Sequence, residues 1–165
     1  MTDADIELQH LWLEVQAERW QSLSRFFFSY FCYKHSLVSK TNKICWETAR
    51  TLLPCSTSIN DRKHAIVEPL VPEESVVGLL KAISKDGEMS FEIMTSTLNT
   101  FLRYVVINKE EKTQLKPNMP AIWYQRENKP LMARFEIAGI DILDTNFTWI
   151  TVSYTHLRAH ETVTY

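Results

Sequence analysis

The chain has 165 residues, of which 45% are hydrophobic and 23% charged, with a net charge of −2 and only three glycines and six prolines. That length fits one domain, at about 100–200 residues each, and such a domain buries enough surface to hold a core without a metal or disulfide staple. The composition excludes low-complexity and fibrous classes, and three glycines leave almost nothing from which to build a phosphate-cradling loop.

Apolar content is no more suggestive of a membrane. The longest apolar run, residues 26–33, is bounded by Arg25 and Lys34 and falls far short of the about 20 residues of a spanning helix. The N-terminus, Met1-Thr2-Asp3-Ala4-Asp5, is acidic and lacks the basic region of a secretory signal. Cys32, Cys45 and Cys55 are odd in number and form no C-x-x-C pair. They read as reduced thiols in a cytoplasmic protein, not as a disulfide framework or zinc site.

In chain order, Thr2 or Asp3 caps a first helix, with Asp5 and Glu7 complementing its dipole. Leu8, Leu11, Trp12 and Val15 follow helical spacing, and Trp20, Leu23, Phe27, Tyr30 and Phe31 extend it. One long helix, or two abutting ones, is predicted to about Tyr33. A second helix is predicted over residues 41–53, capped by Ser39 or Thr41 and stopped by Pro54. It places Cys45, Trp46, Ala49, Leu52 and Leu53 on one side and Lys40, Lys43, Glu47 and Arg50 on the other, with Ile44 as a misfit. Residues 54–71 have loop composition and form the candidate hinge, with Ala65-Ile66-Val67 as a short strand.

A third helix starts at Pro72-Glu73-Glu74, buries Val76, Leu79, Leu80 and Ile83, and ends at Gly87. Ser90 caps a fourth with the stripe Met94, Leu98, Phe101, Leu102 and Val105, fraying over residues 109–112. Beyond the loop carrying Trp123 and Tyr124, residues 131–138 fit a helix ending at Gly139 and equally fit a strand. Ile140-Asp141-Ile142 and Phe147-Thr148-Trp149 are spaced for a hairpin. The expected fold is mainly α, an irregular bundle of four to five helices with room for a small β hairpin after residue 130; α+β is the alternative. Leu8, Leu11, Trp12, Phe27, Phe31, Leu52, Leu80, Leu98, Phe101 and Leu102 are the expected single core.

The C-terminal run Val152-Ser153-Tyr154-Thr155-His156-Leu157-Arg158-Ala159-His160-Glu161-Thr162 resembles translated adapter or vector sequence. Residues 152–165 are therefore set aside as a non-native tail. With them goes the one metal-like spacing, His156 and His160 at i and i+4. Residues 1–151 are then one helical domain or the N-terminal fragment of a longer protein.

Charge is unevenly distributed. Residues 25–64 hold Arg25, Lys34, Lys40, Lys43, Arg50, Arg62 and Lys63 against Glu47 and Asp61, a local net charge of +5 between two acidic segments. Bases neutralise phosphates and aromatics stack on unpaired bases, so Arg25, Lys40, Lys43, Arg50, Arg62 and Lys63 are candidate nucleic-acid contacts. The plainer reading makes the bases a wet helix face and the aromatics core. Trp123 and Tyr124, between prolines, are candidate partner contacts; the plainer reading tucks Trp123 into the core. Cys32 and His35 are close enough for a thiolate pair, yet read better as a core cysteine and a solvated histidine. No nucleotide-loop, nucleophile-elbow or zinc-protease motif occurs, so no catalytic residue, cofactor or metal is assigned. The expected function is a cytoplasmic, non-catalytic module binding a protein partner, with no membrane role. The alternatives are a nucleic-acid-binding accessory protein using residues 25–64, or the N-terminal fragment of an enzyme whose active site lies beyond residue 151.

Overall fold

A computed structural model of the chain describes residues 1–143; the expected strand at 147–149 and the tail from 152 lie outside the described residues. The fold is mainly helical, with a small mixed sheet of four strands among the described residues.

Helix α1 (Asp3–Gln16) opens on a reciprocal cap: Thr2 Oγ1 accepts the Asp5 N–H and the Asp5 carboxylate accepts the Thr2 N–H. The apolar spacing of residues 8–31 allows one long helix or two abutting ones, and the structure has two, separated by a break. Glu18 adopts φ +56°, and the Arg19 N–H reaches back to the Glu14 carbonyl at 2.9 Å. This is a left-handed helix stop with glutamate where glycine is usual, so it leaves little trace in composition. A 3-10 turn, Trp20–Phe26, leads into α2 (Phe27–Lys34). That helix folds back on α1, where Ser29 Oγ donates to Glu7 at 2.8 Å and His10 stacks on Phe26.

The second predicted helix loses its first five residues to a β-turn. Val38 bridges Ile44, the Asn42 N–H donates to the Ser39 carbonyl, and Asn42 takes φ +61°. A tight turn closed by a left-handed residue is a standard three-residue hairpin loop. Ile44, the misfit of the helical wheel, packs from this hairpin onto the core. Helix α3 is only Trp46–Leu52. Leu53, not Leu52, is its buried residue at the end: Leu52 is 47% exposed and Leu53 fully covered.

Strand β1 (Cys55–Ser56), a second 3-10 turn (Arg62–His64) and β2 (Ile66–Pro69) occupy the segment read as a hinge. Helices α4 (Glu73–Lys85) and α5 (Phe91–Phe101) start at Pro72 and Ser90 as predicted, and Gly87 supplies φ +75° after α4. Val105 does not continue the α5 stripe. Tyr104–Ile107 form β3, buried along its whole length, and the run after it is no frayed end but α6 (Lys109–Gln114), opened by an Asn108–Glu111 cap. Helix α7 (Ala121–Gln125), α8 (Ala133–Ala138) ending at Gly139 with φ +72°, and β4 (Ile142–Leu143) complete the described chain.

Strand order is β2-β3-β1-β4, with β1 parallel to β3 and the other pairs antiparallel. Alternation along β3 divides the interior: Tyr104 and Val106 face Phe31, Leu37, Ala49 and Leu53, while Val105 and Ile107 face Leu70, Leu115 and Phe135. A third and larger cluster joins α1, α2, α4, α5 and α7 around Leu11, Phe27, Leu80 and Leu98. The interior is therefore three clusters, not the single core expected. Leu8, Leu11, Phe27, Phe31, Leu80, Leu98 and Leu102 are buried, and Trp12 and Phe101 partly so. No helix among the described residues is long and apolar enough to cross a membrane.

Candidate functional site

The carbonyls at the C-terminal end of a helix have no intrahelical donors. At the end of α3 one side chain fills that role. Arg62 Nη1 donates to the carbonyls of Arg50, Thr51 and Leu53 at 2.8, 2.8 and 2.9 Å, and Nη2 lies 3.1 Å from Cys55 Sγ. Asp61 holds the Arg62–His64 turn by accepting the Lys63 N–H at 2.9 Å. Arg62 is thus a capping residue rather than a free phosphate contact. Around it Glu47, Arg50, Thr51 and Lys63 form a shallow polar concavity of about 310 Å³.

The structure brings Arg50, Arg62 and Lys63 together and separates the other bases from them. Lys40 and Lys43 sit at exposed positions of the 38–44 hairpin, which Asn42 ties to Asp3 at the start of α1. They do not share a helical face with Arg50, because the turn at Asn42 precedes the helix. Arg25 lies on the first 3-10 turn, 6.0 Å over the Phe26 ring.

Trp46 was placed by its spacing on the buried side of a longer helix; it is instead 54% exposed at the first position of α3. Its indole lies flat on Phe28, with centroids 4.1 Å apart and planes 12° apart, and Phe28 in turn meets the Tyr104 ring edge-on. Trp46 and Arg50 stand at i and i+4 on one side of the helix. A tryptophan one turn from an arginine in a basic segment was the available signal. It was masked by apolar neighbours that suited a longer helix.

Trp123 is not a surface contact. It is 1% exposed, donates Nε1 to the Pro130 carbonyl at 3.0 Å, and meets Phe101 edge-on. The polar loop folds back because that one bond satisfies the indole inside the core. Tyr124 is 47% exposed, with its hydroxyl 2.8 Å from Ser75 Oγ, and Ile122 beside it is also exposed.

Burial, with a smaller contribution from Cys45, pushes the Cys32 thiol up to about 12. Burial, then the charges of Lys34 and Arg103, brings His35 down to about 4. His35 is half-buried rather than solvated. Burial thus favours the neutral form of each group, the opposite of what an activated thiolate requires. Among the described residues no three His, Cys, Asp or Glu side chains are grouped to hold a metal ion. Neither family models, curated proteins nor solved structures match this chain.

Proposed function

We propose that the chain is a cytoplasmic, non-catalytic binding module that contacts single-stranded nucleic acid through the Trp46–Arg50 side of α3. The observation that carries this reading is Trp46, more than half exposed, braced from behind by Phe28 and one turn from Arg50. An exposed ring so held is a stacking platform, and stacking contributes about 1–3 kcal/mol per base. Arg50 and Lys63 neutralise phosphate beside it. Glu47 on the same rim opposes them, so binding is weak and tolerant of sequence. The cytoplasmic setting rests on the three free thiols.

The test is a titration of single-stranded DNA at several salt concentrations, followed by tryptophan quenching with Trp46→Phe as the reference. Two phosphate contacts give a slope of roughly −1.4 in log affinity against log salt. Replacing Arg50 and Lys63 together by Gln removes most of that slope. Trp46→Ala weakens binding about 5-fold to 150-fold, the equivalent of one stacked base. Glu47→Gln strengthens it. Absence of any complex at low salt with single- or double-stranded probes would overturn the reading. A protein partner on the exposed Ile122 and Tyr124 of α7 would then be the working account.

A further inference from the structure

A second concavity, away from α3, lies between the loop that follows α6 and the outer side of α8. Its volume is about 380 Å³, at the small end of the range of roughly 300–1,000 Å³ for small-molecule pockets. Met119, Pro120, Ile137 and Ala138 make its lining mostly apolar, and Lys116 and Arg134 are its cations. Of the described residues that line it, none is acidic.

Behind this lining the Arg134 guanidinium is held by three acceptors and has one N–H to spare. Arg134 is 4% exposed and gives Nη2 to Glu68 at 3.1 Å and to the Pro69 carbonyl at 2.6 Å, and Nη1 to the Lys116 carbonyl at 3.0 Å. Its Nε–H is buried with no hydrogen-bond partner among the described residues. Glu68 is also the partner of Lys112, and the largely buried Glu73 carboxylate stands near enough to Glu68 for the two negative charges to oppose each other. A buried guanidinium N–H left unmet is costly, and two cations in a lining without an acid, beside a low-dielectric wall, attract an anion more strongly than they would in water.

The geometry points to a binding site for a small organic carboxylate with an apolar body: the carboxylate toward Lys116 and Arg134, the body against Met119, Pro120 and Ile137. A bare inorganic anion leaves the apolar lining uncovered, and a neutral apolar molecule leaves the cations unanswered. This site is independent of the α3 face and of the nucleic-acid reading.

Octanoate is the probe, with octanamide as its neutral analogue and acetate as the charge without the body, read by isothermal titration and thermal shift on the full chain. Octanoate binds saturably, at least about tenfold tighter than either control, since a tenfold difference needs only one modest interaction. Ile137 is 64% exposed, so Ile137→Asp leaves the circular-dichroism spectrum unchanged while setting a like charge at the site, and octanoate binding is lost. Lys116→Gln, also at an exposed position, weakens octanoate several-fold and leaves octanamide as it was. Equal binding of octanoate and octanamide, or full octanoate affinity in folded Ile137→Asp, would overturn the assignment, as would no saturable binding at all.

Discussion

Arg134 and Glu68 meet 3.1 Å apart in the interior, each about 4% exposed, although 66 residues of chain separate them. The pair fixes α8 to the edge strand β2, and Lys112 brings α6 to the same carboxylate. Three elements of four to six residues, none long enough to be stable alone, are thereby held at one point.

Removing one partner strands the other's charge. Glu68→Ala is expected to cost about 3–5 kcal/mol in denaturant melts, the usual penalty for breaking a buried ion pair. The double variant Glu68→Met with Arg134→Met should recover much of that loss, because a well-packed apolar pair avoids the desolvation of both ions. Additive losses in the double variant would mean that the carbonyl bonds of Arg134, not its charge, hold α8.

Trp123 and Tyr124 are neighbours with opposite roles. Trp123→Ala should destabilise by about 3–5 kcal/mol through lost burial and the cavity left behind. Tyr124→Ala removes an exposed ring and one bond to Ser75, a loss of about 1 kcal/mol. Melts that rank the two in reverse would contradict the packing of α7.

These two positions also show what the sequence could and could not disclose. Where a local rule has a single physical solution, the reading held: the Thr2, Pro72 and Ser90 starts and the Gly87 and Gly139 stops are all observed. It failed where the signal is carried by an unusual residue or by distant chain. Glu18 and Asn42 take the left-handed conformation without being glycine, so a helical wheel runs through both turns unbroken. The error at Asn42 then misplaced Lys40, Lys43, Trp46 and Leu52 together. Strand β3 was absorbed into the α5 stripe because a run buried on both faces has no period to betray it. Arg62 looked like a free base because its three carbonyl acceptors lie 9–12 residues away in sequence.

His35 predicts an acid-side dependence of stability. Its imidazole is held at about 4 by burial and by Lys34 and Arg103, against an ordinary 6.5. Below about 6.5 the unfolded chain takes up a proton that the folded chain refuses, so stability falls as pH drops toward 4 and the effect saturates below that. Glu73, raised by burial, acts in the opposite sense, since the folded state holds its proton more readily. The comparison is therefore between the wild type and His35→Gln. Between about pH 7 and about pH 4.5 the wild type should lose about 2–3 kcal/mol more than the variant. Parallel melting curves across that range would remove His35 as the cause.

Arg62 separates a structural from a contact role within the basic segment. Its guanidinium supplies donors to three carbonyls at the end of α3, and hydrogen bonds to a charged group contribute about 1.5–3 kcal/mol each at most, less when they share one nitrogen. Arg62→Gln is expected to destabilise the fold by about 2 kcal/mol and to raise hydrogen exchange first in the last turn of α3. Lys63→Gln, one residue on and exposed, should leave stability within about 0.5 kcal/mol. The two variants should exchange places in a nucleic-acid titration: Lys63→Gln flattens the salt slope by about 0.7, while Arg62→Gln, measured well below its melting temperature, leaves that slope unchanged. If Arg62→Gln instead flattened the slope with no loss of stability, the guanidinium would be a phosphate contact and the cap at the end of α3 would be incidental.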